Sequence, residues 1–150
     1  MDQYLKLKLE NQLCFPLYAA ARQVVNLYNP AFKPLGLTYT EYIVFMVLWD
    51  KDDINVGELG EKLYLNNSTL SPLLKRMESD GYIVKSRDLS DERIVKIKLT
   101  SKGWEMREKA ATIPDSVKGC ISLSPEKAGQ LYMLLYEILD DIKEFQTEHV

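Results

Sequence analysis

The stretch Leu65-Asn-Asn-Ser-Thr-Leu-Ser-Pro-Leu-Leu-Lys-Arg-Met-Glu-Ser-Asp-Gly-Tyr-Ile83 decides the fold of this chain. It opens with small hydrogen-bonding side chains that can cap a helix, and Gly81 can end that helix in a left-handed conformation. Pro72 falls close enough to the start to remove at most one backbone hydrogen bond. The stretch therefore predicts one helix from about residue 66 to about residue 80, with a polar first turn.

Two β-branched, partly alternating runs follow this helix. Residues 82–87 and 93–99 are joined by the polar residues 88–92, a pattern typical of a β-hairpin with a charged tip. A shorter helix precedes residue 65, because Asn55 and Glu58 have the spacing of a capping box and the pattern continues through Tyr64. Two short helices and a two-stranded hairpin predict a winged helix-turn-helix over residues 56–99, within a lobe of about residues 38–100.

Helical periodicity dominates both ends of the chain. Thr38 and Glu41 form another capping box, which opens a nearly all-apolar helix through Trp49. Ser124 and Pro125 open the last helix, and the first helix ends near Asn29-Pro30. Apolar residues recur at helical spacing on the first and last helices: Leu9, Leu13, Leu17, Ala20, Val24, Leu27; Leu131, Leu134, Leu135, Ile138, Ile142. We predict a single, mainly α domain with a small β-hairpin, in which residues 1–30 and 105–150 form dimerisation helices.

Charge is distributed unevenly along the chain. Residues 66–103 contain eight basic and five acidic side chains, a local charge of +3, although the whole chain carries −3. Basic charge confined to the predicted winged helix is the electrostatic pattern of a surface that meets phosphates. We therefore expect the predicted winged helix to bind double-stranded DNA.

Composition excludes several other classes. No run reaches the about 18 apolar residues of a membrane span, and the N-terminus has no secretion signal, so we expect a cytoplasmic protein. Cys14 and Cys120 are then reduced by default. Two cysteines and the single histidine, His149, cannot by themselves form a closed zinc site, so no metal and no cofactor are expected.

Candidate DNA contacts follow from how a helix enters the major groove, with its N-terminal residues nearest the base edges. Lys75 and Arg76 lie where the helix crosses phosphates, and Arg93 beside Asp91 suggests an arginine held by a carboxylate and aimed at the minor groove. Lys85, Arg87 and Lys96 supplement these through backbone contacts. The base-edge candidates are Asn66, Asn67, Ser68, Thr69 and Ser71.

These motifs resemble the MarR family of transcriptional regulators. The resemblance covers nearly the whole chain, and its most specific parts are Asp91-Glu-Arg93 and Leu99-Thr100-x-x-Gly103. It implies a homodimer that binds a pseudo-palindromic operator, with the first and last helices forming the dimer. Apolar stripes left over on terminal helices agree with this, because they need a partner, and two-fold symmetry matches two half-sites.

A cysteine near the N-terminus suggests what the regulator senses. Residues 13–22, Leu-Cys-Phe-Pro-Leu-Tyr-Ala-Ala-Ala-Arg, resemble the organic hydroperoxide resistance repressors, the OhrR branch of that family. The resemblance implies that Cys14 is the oxidation sensor and that Tyr28 and Tyr39 hydrogen-bond its thiolate across the dimer. A thiolate in the first helical turn is favoured by unpaired amides, but its apolar neighbours oppose it, so donors from elsewhere are required.

Cys120 has two interpretations. It lies just before the last helix, where two-cysteine members of the branch place a thiol that resolves the sulfenic acid as an intersubunit disulfide. It is otherwise a bystander packed at a helix junction, and the sulfenic acid then reacts with a small external thiol.

Other functions remain as alternatives. In one alternative, a protein of the same fold releases its operator when it binds a small phenolic ligand, and thiol oxidation plays no part. A thiol peroxidase using Cys14 would need a nearby acid–base cluster, which the sequence does not offer, so we expect no enzyme. A winged helix that binds only protein would show no salt-dependent affinity for duplex DNA.

Overall fold

The computed structural model describes residues 4–148, so His149 and the first three residues lie outside it. The chain divides into two compact units, one ending at Val117 and the other beginning at Lys118. The first contains α1 (Cys14–Leu27), α2 (Asn29–Phe32), α3 (Tyr39–Asp50), α4 (Val56–Leu63), α5 (Asn67–Ser79), α6 (Ser101–Ala110) and α7 (Ile113–Val117), with 3₁₀ turns at Leu5–Leu7, Leu9–Asn11 and Lys33–Leu35. The second contains α8 (Pro125–Glu148). Within the described residues, no helix has the length and apolar character to cross a membrane.

The sheet has one strand more than the sequence predicts. β2 (Ile83–Arg87) and β3 (Val95–Leu99) form the expected hairpin, but β1 (Ile54–Asn55) pairs with the other edge of β3, so the order is β1-β3-β2 and all pairs are antiparallel. Ile97 of β3 lies opposite both Ile54 and Lys85. A two-residue strand is too short to show an alternating pattern, which is why only its partner reveals it.

Helix α3 forms the centre of the core. Thr38 caps it through its hydroxyl, which accepts from the Glu41 amide, and the Glu41 carboxylate accepts from the Thr38 amide at 2.8 Å, so the predicted capping box is confirmed. Val44, Phe45 and Leu48 are completely buried. The nearly all-apolar composition of this helix thus reflects contacts on most of its faces.

Helix α5 has the bounds that the sequence predicts. It begins after Asn66, and Gly81 follows its end with φ +78°, a conformation that favours glycine. Leu70, Leu74 and Met77 are buried, at the four- and three-residue spacing of one helical face. The opposite face of α5 is therefore open to solvent.

The start of α1 differs from the prediction. Leu9 lies in a separate 3₁₀ turn, and α1 begins at Cys14, after Leu13, with no side chain capping it. Pro16 explains the difference, because proline is tolerated in a first turn, whereas inside a helix that began before Leu9 it would remove a hydrogen bond and clash with the preceding turn. The predicted apolar stripe therefore starts one turn later than expected.

The second predicted capping box is only half formed. Asn55 caps α4 by accepting from the Glu58 amide at 2.7 Å. The Glu58 carboxylate instead accepts from Lys51 Nζ at 2.6 Å. An ion pair with a nearby lysine has replaced the return bond of the box.

Gly103 joins the wing to α6 by a close approach. Thr100 caps α6 and accepts from the Gly103 amide, and a Cβ atom at Gly103 would lie 2.3 Å from the carbonyl oxygen of Tyr82. The Gly103 carbonyl accepts from the indole nitrogen of Trp49 on α3 at 3.1 Å. The spacing Leu99-Thr100-x-x-Gly103 therefore reflects a helix cap together with a backbone contact that admits only glycine.

Candidate nucleic-acid interface and cysteine sites

The exposed face of α5 carries the predicted base-edge residues. Asn67, Ser68, Thr69 and Ser71 are all exposed there. Asn66 is exposed too, but its side chain caps the helix: its Oδ1 accepts from the Thr69 amide at 3.0 Å and from the Ser68 hydroxyl at 2.6 Å. Four small polar side chains thus project from the first turns of α5, with Asn66 holding the turn in shape.

Arg93 is fixed at the tip of the wing. Its Nε and Nη2 donate to the two carboxylate oxygens of Asp91 at 3.0 and 2.9 Å, and its side chain is nevertheless 90% exposed. The same contact raises the pKa of Arg93 and lowers that of Asp91. The pairing expected from the sequence is present, and it presents a preoriented cation to solvent.

Asp88 organises the rest of the tip. It accepts from the Ser90 amide and hydroxyl and pairs with Lys96 Nζ at 2.9 Å, and these donors hold its pKa well below the ordinary range. Arg87 donates to the carbonyl oxygen of Glu92 at 2.6 Å. Arg87 and Lys96 are thus engaged within the wing, although the sequence assigned them to the DNA backbone.

Two more predicted phosphate contacts are ion-paired inside the chain. Arg76 Nε lies 3.2 Å from Glu41 Oε1, and Lys85 Nζ lies 3.2 Å from Glu78 Oε2. Sequence reasoning treated Glu41 only as part of a capping box and did not single out Glu78. No local pattern could have found the first pair, because 35 positions separate its members.

A cavity of about 630 Å³ lies between α4, α5 and the wing. Gly57 at the start of α4, Asn67 and Ser71 on α5, and Lys85 and Arg93 on the wing all line it. The fold therefore gathers predicted DNA-binding residues from the helix and the hairpin around one concave surface.

The two cysteines are free and exposed. Cys14 is the first residue of α1, as the sequence predicts for a thiol in the first turn. Cys120 follows Gly119, whose φ is +86°, in the turn before α8. They belong to different compact units, and each is accessible within the chain.

Tyr28 and Tyr39 are brought together in one aromatic cluster. Their ring centroids lie 5.2 Å apart in an edge-to-face arrangement, and both rings also lie near Phe32. Burial, with a smaller contribution from Tyr28, raises the pKa of Tyr39. Within residues 4–148 of one chain, no hydrogen bond joins either hydroxyl to Cys14.

The described part of the chain contains no group of three or more histidine, cysteine, aspartate or glutamate side chains arranged to hold a metal ion. The chemistry available at these sites is that of a thiol, of tyrosine hydroxyls and of a hydrogen-bonding basic surface.

Comparison with known proteins places the chain in a family. A model of the family described as "Transcriptional regulator SarA/Rot" matches residues 26–110. The organic hydroperoxide resistance transcriptional regulator of Bacillus subtilis (strain 168) is 43% identical over 136 residues, which cover 91% of this chain and 92% of the relative.

Solved structures agree with this. AbfR of Staphylococcus epidermidis, in its reduced form bound to DNA, superposes with a TM-score of 0.77 at 29% identity, covering 97% of this chain and 99% of that one. Its overoxidised, DNA-bound form superposes with a TM-score of 0.75 at 30% identity, covering 95% of this chain and 99% of that one. Its disulfide form superposes with a TM-score of 0.62 at 30% identity, covering 91% of this chain and 96% of that one. AbsC, a MarR family regulator from Streptomyces coelicolor, shares the fold with a TM-score of 0.78 at 24% identity, covering 91% of this chain and 97% of that one.

The fold and its exposed α5 define a winged-helix, DNA-binding transcriptional regulator. Within that class the chain belongs to the MarR-type regulators of the SarA/Rot description, in their redox-responsive, OhrR-like branch. The resemblance seen in the sequence is confirmed. The relatives found are transcriptional regulators rather than enzymes.

Proposed function

We propose that the chain is a homodimeric repressor that binds a pseudo-palindromic operator when reduced and releases it when an organic hydroperoxide oxidises Cys14. The observation that carries this proposal is the position of Cys14, an exposed free thiol at the first residue of a helix that buries none of its side chains in its own chain. A sensor placed there lies in the part of the molecule that a second subunit would complete.

The DNA-binding part of the proposal rests on α5 and the wing. The four polar side chains at the start of α5 would meet base edges in the major groove, and Lys75 the phosphates. Arg93 would enter the minor groove, for which its exposed and preoriented guanidinium is suited. Two copies related by a two-fold axis would read two half-sites.

The dimer rests on the apolar side chains of the terminal helices. Leu13, beside the start of α1, is 78% exposed, and Met133 of α8 is 68% exposed; neither helix has a buried residue. Apolar side chains at helical spacing that find no core in their own chain are stabilised by a partner. A second copy offers the same surface, as a symmetric interface requires.

The sensing step is a transfer of oxygen. The Cys14 thiolate attacks the terminal oxygen of the hydroperoxide, the O–O bond breaks, and sulfenic acid and the corresponding alcohol form once the alkoxide takes a proton. The hydroxyl groups of Tyr28 and Tyr39 of the partner would donate hydrogen bonds to the thiolate. The raised pKa of Tyr39 supports this role, since it keeps that hydroxyl protonated and able to donate.

Cys120 would complete the switch as the resolving thiol. Its thiolate attacks the sulfenic sulfur of Cys14 on the other subunit, a disulfide forms, and the sulfenic oxygen leaves as water. Its exposure in a turn and the disulfide form known for AbfR support this assignment. Overoxidised AbfR was solved bound to DNA, which favours disulfide formation, rather than oxidation of sulfur alone, as the step that releases the operator.

The test uses a duplex selected from a randomised library by the reduced wild-type protein, called here the selected duplex. Binding is followed by fluorescence anisotropy before and after cumene hydroperoxide, with non-reducing mass analysis of each sample. We expect wild type to release the duplex with a Cys14–Cys120 disulfide, Cys14→Ser to remain bound, and Cys120→Ser to be oxidised yet remain bound unless a small thiol is added.

Release of Cys14→Ser by hydroperoxide would overturn the proposed sensor. Release of both wild type and Cys14→Ser by salicylate, with no response to hydroperoxide, would replace thiol oxidation by a phenolic ligand as the input. Release of Cys120→Ser without added thiol would remove the resolving role from Cys120 and leave the sensor in place.

A further inference from the structure

The ion pair between Arg76 and Glu41 joins the DNA-reading helix to the central helix. Arg76 lies in the second half of α5, and Glu41 lies in the first turn of α3, against which α5 packs. We propose that Arg76 is a positioning residue: it holds α5 in its DNA-reading orientation through Glu41 and makes no phosphate contact of its own. This inference rests on the part of the proposed function that assigns α5 to the duplex.

Glu41 needs the charge of Arg76. It is only 2% exposed, and it is the buried charged residue of the described core. Its Oε2 accepts from the amide and the hydroxyl of Thr38 at 2.8 and 2.9 Å. Among the described residues, Oε1 of Glu41 forms its ion pair with Arg76, whose Nε lies 3.2 Å away. A carboxylate this deeply buried is costly unless it is paired, so the core itself requires the arginine at this position.

Arg76 is also poorly placed to attract a phosphate. Its Nε faces a second carboxylate, Asp80 Oδ2, at 3.7 Å in addition to Glu41. A phosphate that approached the guanidinium would meet two negative charges already in place. Lys75, its neighbour in sequence, is exposed and takes part in no ion pair among residues 4–148, so it is the better phosphate ligand of the two.

The ion pair between Arg76 and Glu41 is placed where it affects the orientation of α5. The buried apolar face of α5, made by Leu70, Leu74 and Met77, determines which side of the helix meets the core. The ion pair at Arg76 adds a directional contact at the edge of that face, which limits small rotations that the apolar contacts tolerate. A small rotation of α5 would displace Asn67 and Ser71, which the proposed function places at the base edges.

Loss of a phosphate contact and misplacement of α5 weaken DNA binding in different ways. A lost phosphate contact weakens binding to every duplex and lowers the salt dependence of binding by about one unit of slope. A misplaced helix weakens binding to the selected duplex while the phosphate contacts, and therefore the salt slope, remain. Unfolding would weaken both kinds of binding alike.

The experiment is a double-mutant cycle with Glu41→Gln, Arg76→Gln and the double variant, on the reduced dimer. Dissociation constants are measured over a range of salt for the selected duplex and for a scrambled duplex of the same length. Lys75→Gln, alone and combined with Glu41→Gln, is the matched control. Circular dichroism establishes that each variant is folded, and Arg76→Lys replaces Arg76→Gln in the cycle if the latter is not.

We expect each single variant of the pair to bind the selected duplex about tenfold more weakly, and the double variant no more weakly than either, as for neighbours in one network. Their salt slopes and their affinity for the scrambled duplex should match wild type. Lys75→Gln should weaken binding to both duplexes and lower the salt slope by about one. Its effect on binding free energy should be additive with that of Glu41→Gln.

Additive effects of Glu41→Gln and Arg76→Gln, or a salt slope reduced by about one in Arg76→Gln, would overturn the positioning role. Failure of the wild-type protein to bind any duplex would instead overturn the proposed function, and this inference with it. The two failures are therefore distinguishable.

Discussion

The lobe of residues 38–100, to which the proposed function assigns DNA binding, differs from the terminal helices α1 and α8 in how its apolar side chains are buried. The lobe buries Phe45, Leu48 and Ile97 completely within its own chain. Neither α1 nor α8 has a buried residue, although both carry apolar side chains at helical spacing. One region has a core within a single chain, and in the proposed function the other is covered by a partner.

The two regions differ in how readily a signal can rearrange them. A closely packed lobe resists small changes, because its interior has the density of a crystal and few voids. A surface that is covered only in the dimer is rearranged more easily, since its contacts are made between chains. The proposed sensor, Cys14, belongs to the second kind of region, and the surface that reads DNA belongs to the first.

Substitution of two leucines, one in each region, tests this difference most directly. Leu48, on α3, is 0% exposed, and Leu48→Ala should lower the free energy of unfolding by about 2–5 kcal/mol through lost burial and the cavity left behind. Urea unfolding of the reduced protein measures it. The dimer dissociation constant of the folded variant, from analytical ultracentrifugation, should be unchanged.

The control is the same substitution on α8. Leu134 is 56% exposed, so Leu134→Ala should raise the dimer dissociation constant and make the unfolding midpoint depend less strongly on protein concentration, because a folded monomer unfolds independently of concentration. If Leu134→Ala left dimerisation intact and Leu48→Ala weakened it, the two regions would have been assigned the wrong way round.

A second, smaller effect is expected at the contact between the wing and α6. Gly103→Ala should lower the free energy of unfolding by about 1–3 kcal/mol, because its Cβ would lie 2.3 Å from the Tyr82 carbonyl oxygen. Tryptophan fluorescence reports the local displacement, because Trp104 is adjacent to Gly103 and the indole of Trp49 donates to the Gly103 carbonyl.

The matched control is Gly129→Ala on α8. A Cβ there meets no other atom within 4 Å, so relief of the glycine penalty inside a helix should leave stability unchanged or raise it by up to about 1 kcal/mol. Equal losses from both substitutions would contradict the contrast between a closed lobe and an open helix.

The smallest effect is expected on acidification of the wing tip. The donors Ser90 and Lys96 lower the pKa of Asp88. The charged carboxylate therefore stabilises the fold at pH values above the ordinary pKa of aspartate, and this stabilisation is lost as the pH falls below about 4. The amide resonance of Ser90 should lose protection from exchange over that range. Asp88→Asn should remove this acid response, and its persistence in the variant would point to Asp91 instead.

Local patterns in the sequence predicted much of the fold. Thr38 and Ser124 marked the starts of α3 and α8, and the run of possible caps from Asn66 onward marked the start of α5, because a cap is an interaction between residues two or three positions apart. The pairing of Arg93 with Asp91 was predicted for the same reason. The start of α1 was not predicted, because Pro16 limits the helix to residues from Cys14 onward although the apolar spacing begins at Leu9.

Other features arose only from tertiary structure. Strand β1 exists because β3 offers it a free edge 43 residues away, as Ile54 opposite Ile97 shows. Arg76, Lys85 and Lys96 looked like free basic residues in the sequence, and each has an acidic partner in the fold. The sequence by itself determined the starts of α3, α4, α5 and α8, the wing and the family. The fold decided which of these cations have an acidic partner, because pairing of charges depends on distance in space, and no local pattern records which carboxylate lies beside which cation.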